Sequence, residues 1–316
     1  MKVCYLVLAH AQPRHLRRLC KALTSDGSSA VVHVDGKSNL DTFVFDMPNV
    51  TFLLSRICVN WGGWSIVEAT LRLMASAREV APHADYYWLV SGDSYPLRPE
   101  RVLRKVIETV PNREFLNLLE MGSPRGGKKL SNISNYYIEF DPRTSRPSTR
   151  LFFSVAHRVM RRPYVSRLAG RIPYGGSQWF TLSASATDFV LKVWNSEKRL
   201  VELAKTSRIP DEFFMQTILG NSPFADRIVP ALFFADFRPK DVATPVELGP
   251  RQIMELGEMP GGRYSNEYGE HVALMGRKFT DAHPEVVDLV EEHLWNLDVN
   301  ISTYVESPLG GAKPAK

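Results

Sequence analysis

The chain has 316 residues, of which 44% are hydrophobic and 23% charged, the balance of an ordinary globular protein. No stretch approaches the eighteen uninterrupted apolar residues of a membrane span, and Cys4, Cys20 and Cys58 give neither a disulfide framework nor a CxxC pair. The net charge of +5 is unevenly placed: eight arginines (Arg143, Arg146, Arg150, Arg158, Arg161, Arg162, Arg167 and Arg171) and no acidic residue lie between Asp141 and Asp188. That stretch reads either as a solvated face or as a surface for an anionic partner, with a peripheral contact to an anionic membrane as one form. Nucleic acid is not expected, because no nucleic-acid-binding motif accompanies the arginines.

In chain order the elements predict an α/β protein. Val3–Ala9 is a continuous apolar run, expected as a strand buried on both faces rather than as a signal peptide. Pro13 opens a helix to about Leu23. Ala30–Val34 and Val50–Leu54 follow as strands. Ser65, with Glu68 three residues on, predicts a capped helix start. Tyr86–Val90 is a further buried strand, Pro99 begins a helix to about Val110, and Phe115–Leu118 is again a strand. Met121–Arg150 is loop-like and expected to be a substrate-facing insertion. Phe180–Leu182 is a short strand, with Ser183 capping a helix to about Glu197. A helix is expected from Glu212 to Leu219, a strand over Ala231–Phe237 and an amphipathic helix from Pro284 through Leu297. The expected organisation is a single domain over 1–307, in two halves (1–120 and 121–307), with a disordered tail from 308. Strands alternating with helices imply a mostly parallel central sheet flanked by helices, Rossmann-like in its amino-terminal half. Ligands of such sheets sit beyond the carboxyl ends of the strands. His10, Asp35, Asp93 and Glu120 all fall just after predicted strands and could share one rim.

Pro210-Asp211-Glu212-Phe213-Phe214 places paired carboxylates at a predicted helix start, where the dipole favours the anion. Tyr174-Gly175-Gly176-Ser177-Gln178-Trp179-Phe180 supplies a glycine-rich segment, and Gly276-Arg277-Lys278-Phe279 a cationic pair. An acid that takes a proton from a hydroxyl, together with cations that neutralise a departing diphosphate, would suffice for inverting sugar transfer. No two aspartates stand two apart, so no Asp-x-Asp metal motif is present. Without one, Lys or Arg must meet the phosphates: Arg277 and Lys278, with Arg238 and Lys240 as further candidates. Each feature has a plainer reading. Acids favour first turns, Asp93 could simply hold a turn, and Gly176 could be a turn residue or allow close backbone approach. Trp61 and Trp64 could stack on sugar or, for Trp64, fill core; Trp179 is better suited as a pocket wall, and His10 as a structural histidine.

Taken in order, the segments Tyr5-Leu6-Val7-Leu8-Ala9-His10, Val32-His33-Val34-Asp35, Trp61-Gly62-Gly63-Trp64-Ser65-Ile66-Val67-Glu68-Ala69, Leu89-Val90-Ser91-Gly92-Asp93-Ser94-Tyr95-Pro96-Leu97, Gly175-Gly176-Ser177-Gln178-Trp179-Phe180, Pro210-Asp211-Glu212-Phe213-Phe214 and Arg277-Lys278-Phe279 resemble glycosyltransferase family 14 in a compact bacterial form. That family comprises the core-2/I-branching N-acetylglucosaminyltransferases and the peptide O-xylosyltransferases. The resemblance implies a GT-A-like fold with a nucleotide-sugar-binding half (1–120) and an acceptor and catalytic half (121–307), a UDP-sugar co-substrate, inversion and no metal or other cofactor. It implies Glu212 as catalytic base and Lys278 on the diphosphate, Asp35 on the nucleotide, and Glu120 on the acceptor. Donor contacts are expected from His10, Asp35, Arg238, Arg277 and Lys278. The acceptor pocket is expected from Trp61, Asp93, Glu120, Gly176, Ser177, Gln178, Trp179 and Asp211. The expected partners are a UDP-sugar and a glycan or lipid-linked saccharide, and the expected place is the cytoplasm or the inner face of the plasma membrane. The rival readings are a metal-dependent transferase of the same fold and a non-catalytic glycan- or nucleotide-binding protein. A dehydrogenase is disfavoured, since no GxGxxG follows the first strand.

Overall fold

The computed structural model describes residues 1–124, 127–141, 143–237 and 244–300. The strands in chain order are β1 (Val3–Ala9), β2 (Ser29–Val34), β3 (Val50–Phe52), β4 (Tyr86–Ser91), β5 (Ser94–Pro96), β6 (Glu114–Leu116) and β7 (Leu119–Glu120). They continue as β8 (Tyr174–Gly175), β9 (Phe180–Ser183), β10 (Ile228–Val229), β11 (Phe233–Ala235), β12 (Arg263–Asn266), β13 (Gly269–Val272) and β14 (Met275–Arg277). The central sheet has the order β10-β6-β9-β4-β1-β2-β3. β1 lies between β2 and β4, parallel to both, and β3 extends the parallel run beyond β2. β9 runs antiparallel to β4 and β6, and β10 closes the far edge parallel to β6. The sheet is therefore mostly parallel, with one reversed strand. β1 is almost wholly buried, as its uninterrupted apolar run requires of a strand covered on both faces.

Two helices begin differently from the expectation, for identifiable reasons. The helix Trp64–Val80 starts before Ser65, so Ser65 lies inside its first turn. Its cap comes from Glu139, far away in the chain, whose carboxylate accepts Ser65 N–H at 3.0 Å and also takes the Ser65 hydroxyl. A carboxylate at that positive helix end is electrostatically favoured. Glu68 instead pairs with Arg72 at 2.7 Å. The Pro-Asp-Glu segment is not the start of an α-helix either. Pro210–Glu212 forms a 3-10 turn and the helix proper runs Phe214–Gly220. Ile209 before it sits at φ 53, a left-handed conformation that costs a β-branched residue of order 1–3 kcal/mol.

Other boundaries shift modestly: β3 and β11 are shorter than expected, and the last helix, Pro284–Leu289, passes into a π-helical turn at Val290–Leu294. Ser183 caps the helix Ala184–Ser196 as expected, accepting Ala186 N–H at 3.2 Å. The described residues of the 121–150 segment include helical turns as well as loop. They hold a short helix, Ser131–Ser134, and open the helix Pro147–Val159. The expected tail from 308 lies outside the described residues. Among the described residues no helix is long and apolar enough to cross a membrane.

Candidate active site

The loops leaving β1, β2 and β4 are tied to one another beyond the carboxyl ends of the strands. Asp35 N–H donates to the Ala9 carbonyl at 2.8 Å, and Gly92 N–H to the Leu8 carbonyl at 2.7 Å. A cavity of about 150 Å³ opens there, lined by His10, Ala11, Gln12, Gly92, Asp93, Glu247, Lys278, Phe279 and Thr280.

Lys278 reaches this cavity because its neighbours are pinned. Phe279 is buried, its ring stacked on His15 at 5.8 Å and edge-on to Tyr95 at 5.9 Å, and its N–H donates to the Asp93 carbonyl at 2.8 Å. The Lys278 carbonyl accepts Leu248 N–H at 2.8 Å. Asp93 is the electrostatic centre of the rim. Burial pushes its carboxyl up, but the Arg277 charge and hydrogen bond, Ser91 and the Lys278 charge outweigh that and hold it below the usual carboxylate range. Arg277 donates to Asp93 Oδ1 at 2.8 Å and lies over the Trp179 ring at 5.1 Å. Trp179 in turn stacks on Phe233 at 5.4 Å. Arg277 is thus occupied by Asp93 and Trp179, whereas Lys278 faces the cavity. Thr280 Oγ1 is buried at the cavity wall with no hydrogen-bond partner.

The Pro-Asp-Glu turn stands across the Gly176–Trp179 segment from this cation pair. Gly176 N–H donates to the Glu212 carbonyl at 2.9 Å, Gln216 donates to the Ser177 carbonyl at 2.7 Å, and Trp179 meets Arg277. A Cβ on Gly176 would lie 1.8 Å from the Asn117 carbonyl oxygen, so only glycine admits this backbone approach. Glu212 is half-buried, and its Oε2 pairs with Lys128 Nζ at 2.8 Å. The neighbouring Asp211 carboxyl is pushed up to about 7 by burial and then by the Glu212 charge, and its Oδ1 is buried with no partner. The Tyr268 phenol, from the β12–β13 turn, is pushed up by burial and, to a smaller degree, by the charges of Glu267 and Glu212. Gln178 Nε2 is a further buried donor with no partner.

The remaining expected residues are dispersed. Asp35 sits on the same rim but outside the cavity lining, its Oδ1 accepting Lys37 N–H at 2.9 Å and Val59 N–H at 3.3 Å. Glu120 is exposed on the β7–β8 ribbon opposite Tyr174. Trp61 is 61% exposed, next to Gly62, whose carbonyl accepts Ile209 N–H at 2.9 Å, so it borders the Pro-Asp-Glu turn. Trp64 is core, edge-on to Phe214 at 5.3 Å. Arg238 and Lys240 lie outside the described residues. Sequence reasoning did not single out Gln12, Lys128, Glu247, Tyr268 or Thr280. Only Lys128 had a signal, its place in the loop expected to face substrate. Among the described residues no group of three or more His, Cys, Asp and Glu side chains gathers to hold a metal ion.

A mostly parallel α/β sheet flanked by helices, carrying a cation-and-carboxylate pocket beyond its strand ends, is consistent with a GT-A-like glycosyltransferase fold. The sequence model of the Core-2/I-Branching enzyme family matches residues 3–231, and the chain belongs to that family. It is 27% identical over 239 residues to Xylosyltransferase 2 of Canis lupus familiaris, covering 72% of this chain and 26% of that protein. Xylosyltransferase 2 of Homo sapiens matches at 26% over 239 residues with the same coverage. Xylosyltransferase 1 of Rattus norvegicus matches at 24% over 237 residues, covering 72% of this chain and 27% of that protein. The match thus spans about a quarter of the length of these relatives. Glu212 falls inside the region of the family match and Lys278 beyond it.

Proposed function

We propose that the protein is an inverting, metal-independent glycosyltransferase that moves a sugar from UDP to a hydroxyl of a glycan or lipid-linked saccharide. Xylose and N-acetylglucosamine are the first donors to test, given the names of the family and of the relatives. Bacterial surface polysaccharide assembly is the setting we favour. The observation that carries the reading is Lys278 fixed at the rim cavity while Glu212 lies across the Gly176–Trp179 segment from it.

The chemistry follows from those positions. The acceptor oxygen attacks the anomeric carbon on the face opposite the diphosphate, and Glu212 takes its proton. The bond between the anomeric carbon and the diphosphate oxygen breaks, and its electron pair leaves on UDP. Lys278 neutralises that charge as it forms, the role a divalent ion plays elsewhere. Asp93 and Trp179 hold Arg277, which keeps the adjoining Lys278 backbone in place. A carboxylate has several lone-pair sites, so Glu212 can accept an acceptor hydroxyl while one oxygen stays with Lys128. Trp61, exposed beside the turn, offers a face for a sugar ring.

Glu212→Gln tests the base. Transfer should fall by about 10²–10⁴ while UDP still stabilises the variant against heat as it does the wild type. Transfer at wild-type rate would remove Glu212 from the mechanism. A metal-dependent reading draws on Asp93 and Glu247, two carboxylates on the same cavity. Loss of transfer in EDTA, restored by manganese or magnesium, would favour it.

A further inference from the structure

The helix Pro147–Val159 is apolar on two sides. Inward, Ala156 is buried and the Phe153 ring lies 5.6 Å from Phe140. Outward, Leu151 (67% exposed), Phe152 (64%), Val155 and Val159 (67%) form one stripe, since positions i, i+1, i+4 and i+8 share a helix face. Met160 and Val165 carry exposed apolar surface past the helix end. A helix on the surface of a globular protein ordinarily turns polar residues to that side, and a contiguous exposed apolar patch marks an interaction site.

The charge around the stripe identifies the partner. Of the eight arginines in this acid-free stretch, Arg162 is buried and bonds the Ile133 carbonyl, Thr206 and Ser207, and Arg171 pairs with Glu197 at 3.1 Å. Arg143, Arg146, Arg150, Arg158 and Arg161 are exposed and flank the stripe at both ends of the helix. An apolar stripe bordered by arginines, with no acidic residue among them, is the pattern of a helix lying in an anionic bilayer interface. A second copy of the chain fits poorly, because a two-fold contact through this patch would set arginines against arginines.

We propose that the outward face of the Pro147–Val159 helix docks the protein on an anionic phospholipid surface, with Leu151, Phe152, Val155 and Val159 entering the interface and the flanking arginines meeting headgroups. The docking face is coupled to the candidate active site through the segment just before the helix. Tyr137 N–H bonds the Thr206 carbonyl at 2.8 Å, and Glu139 caps the helix whose entry loop, through the Gly62 carbonyl, holds Ile209 of the Pro-Asp-Glu turn. If the protein acts as proposed above, this arrangement brings Glu212 to a lipid-linked acceptor; the docking itself does not depend on that reading.

The test is co-sedimentation of the full chain with vesicles of phosphatidylglycerol and phosphatidylcholine, against vesicles of phosphatidylcholine alone, without nucleotide sugar. The wild type should bind the mixed vesicles at least tenfold more tightly than the neutral ones, and lose that preference at high salt. The triple variant Leu151→Ser, Phe152→Ser, Val155→Ser should bind at least tenfold more weakly with an unchanged melting temperature. Arg143→Glu with Arg158→Glu should remove the anionic preference. As an independent measure, Phe152→Trp should add emission that shifts to the blue when mixed vesicles are added. Wild-type protein left in the supernatant at low salt overturns the proposal. So does a triple variant that binds like wild type, or emission from the Phe152→Trp variant that is blind to vesicles. A dimer dissolved by the triple variant, with no vesicle binding, would assign the face to a second copy instead. Because no donor enters the assay, failure here leaves the transferase reading standing, and failure of transfer leaves this one standing.

Discussion

Asp211 offers a quantitative test of how the Pro-Asp-Glu turn is built. Its carboxyl is raised from 3.8 to about 7, by burial and by the charge of Glu212. The folded-state value lies above the unfolded one, so the folded protein keeps the proton after the unfolded chain has lost it. Wild-type stability therefore falls as pH rises from about 4 to about 7 and levels off above. Asp211→Asn removes the titration. The amide introduces an N–H where a carboxylate oxygen stood, at a fixed cost of about 1–2 kcal/mol at every pH. The pH-dependent part is separable from it. Between pH 5 and pH 7 the wild type loses about 1.4 kcal/mol per unit, so the variant should gain about 3 kcal/mol on the wild type by pH 8. Urea unfolding of both proteins at pH 5 and pH 8 measures this directly. A difference in stability that stays constant across the two pH values would refute the buried, Glu212-coupled placement of Asp211.

Two further outcomes follow from contacts at the site. Lys278→Ala should lower transfer by about 10²–10³ and weaken UDP binding, read by titration calorimetry, because the cavity loses the cation that meets the leaving group. Gly176→Ala should destabilise the protein by at least about 3 kcal/mol in denaturant unfolding, because its Cβ would meet the Asn117 carbonyl oxygen, and Asn117 is itself fixed by accepting Ala231 N–H at 2.9 Å.

The parallel part of the sheet was legible because β1 is an unbroken apolar run and β2 and β4 are predominantly apolar, the mark left by strands buried on both faces. The rim was legible for the same reason, since the residues just after those strands must lie at its carboxyl edge; His10, Asp35 and Asp93 do. Contacts between distant segments were not. The Glu139 cap on the helix Trp64–Val80 leaves no local signature, and the local Ser65–Glu68 pattern pointed to a capping box that does not form. Lys128 against Glu212 likewise comes from the folding of a separate loop onto the Pro-Asp-Glu turn. The helix Pro147–Val159 escaped a periodicity reading because its apolar residues fall on two faces, which blurs the single stripe such readings seek. Arg162 read as part of a basic surface, yet its guanidinium is consumed inside the fold by Ile133, Thr206 and Ser207.

The most direct measurement is the anomeric configuration of the product formed from an α-linked UDP-sugar in excess EDTA, read by proton NMR. A base on one face of the sugar and a lysine at the leaving group on the other predict a β-linked product at an undiminished rate. An α-linked product, or no product until a divalent ion is returned, would contradict the division of labour between Glu212 and Lys278.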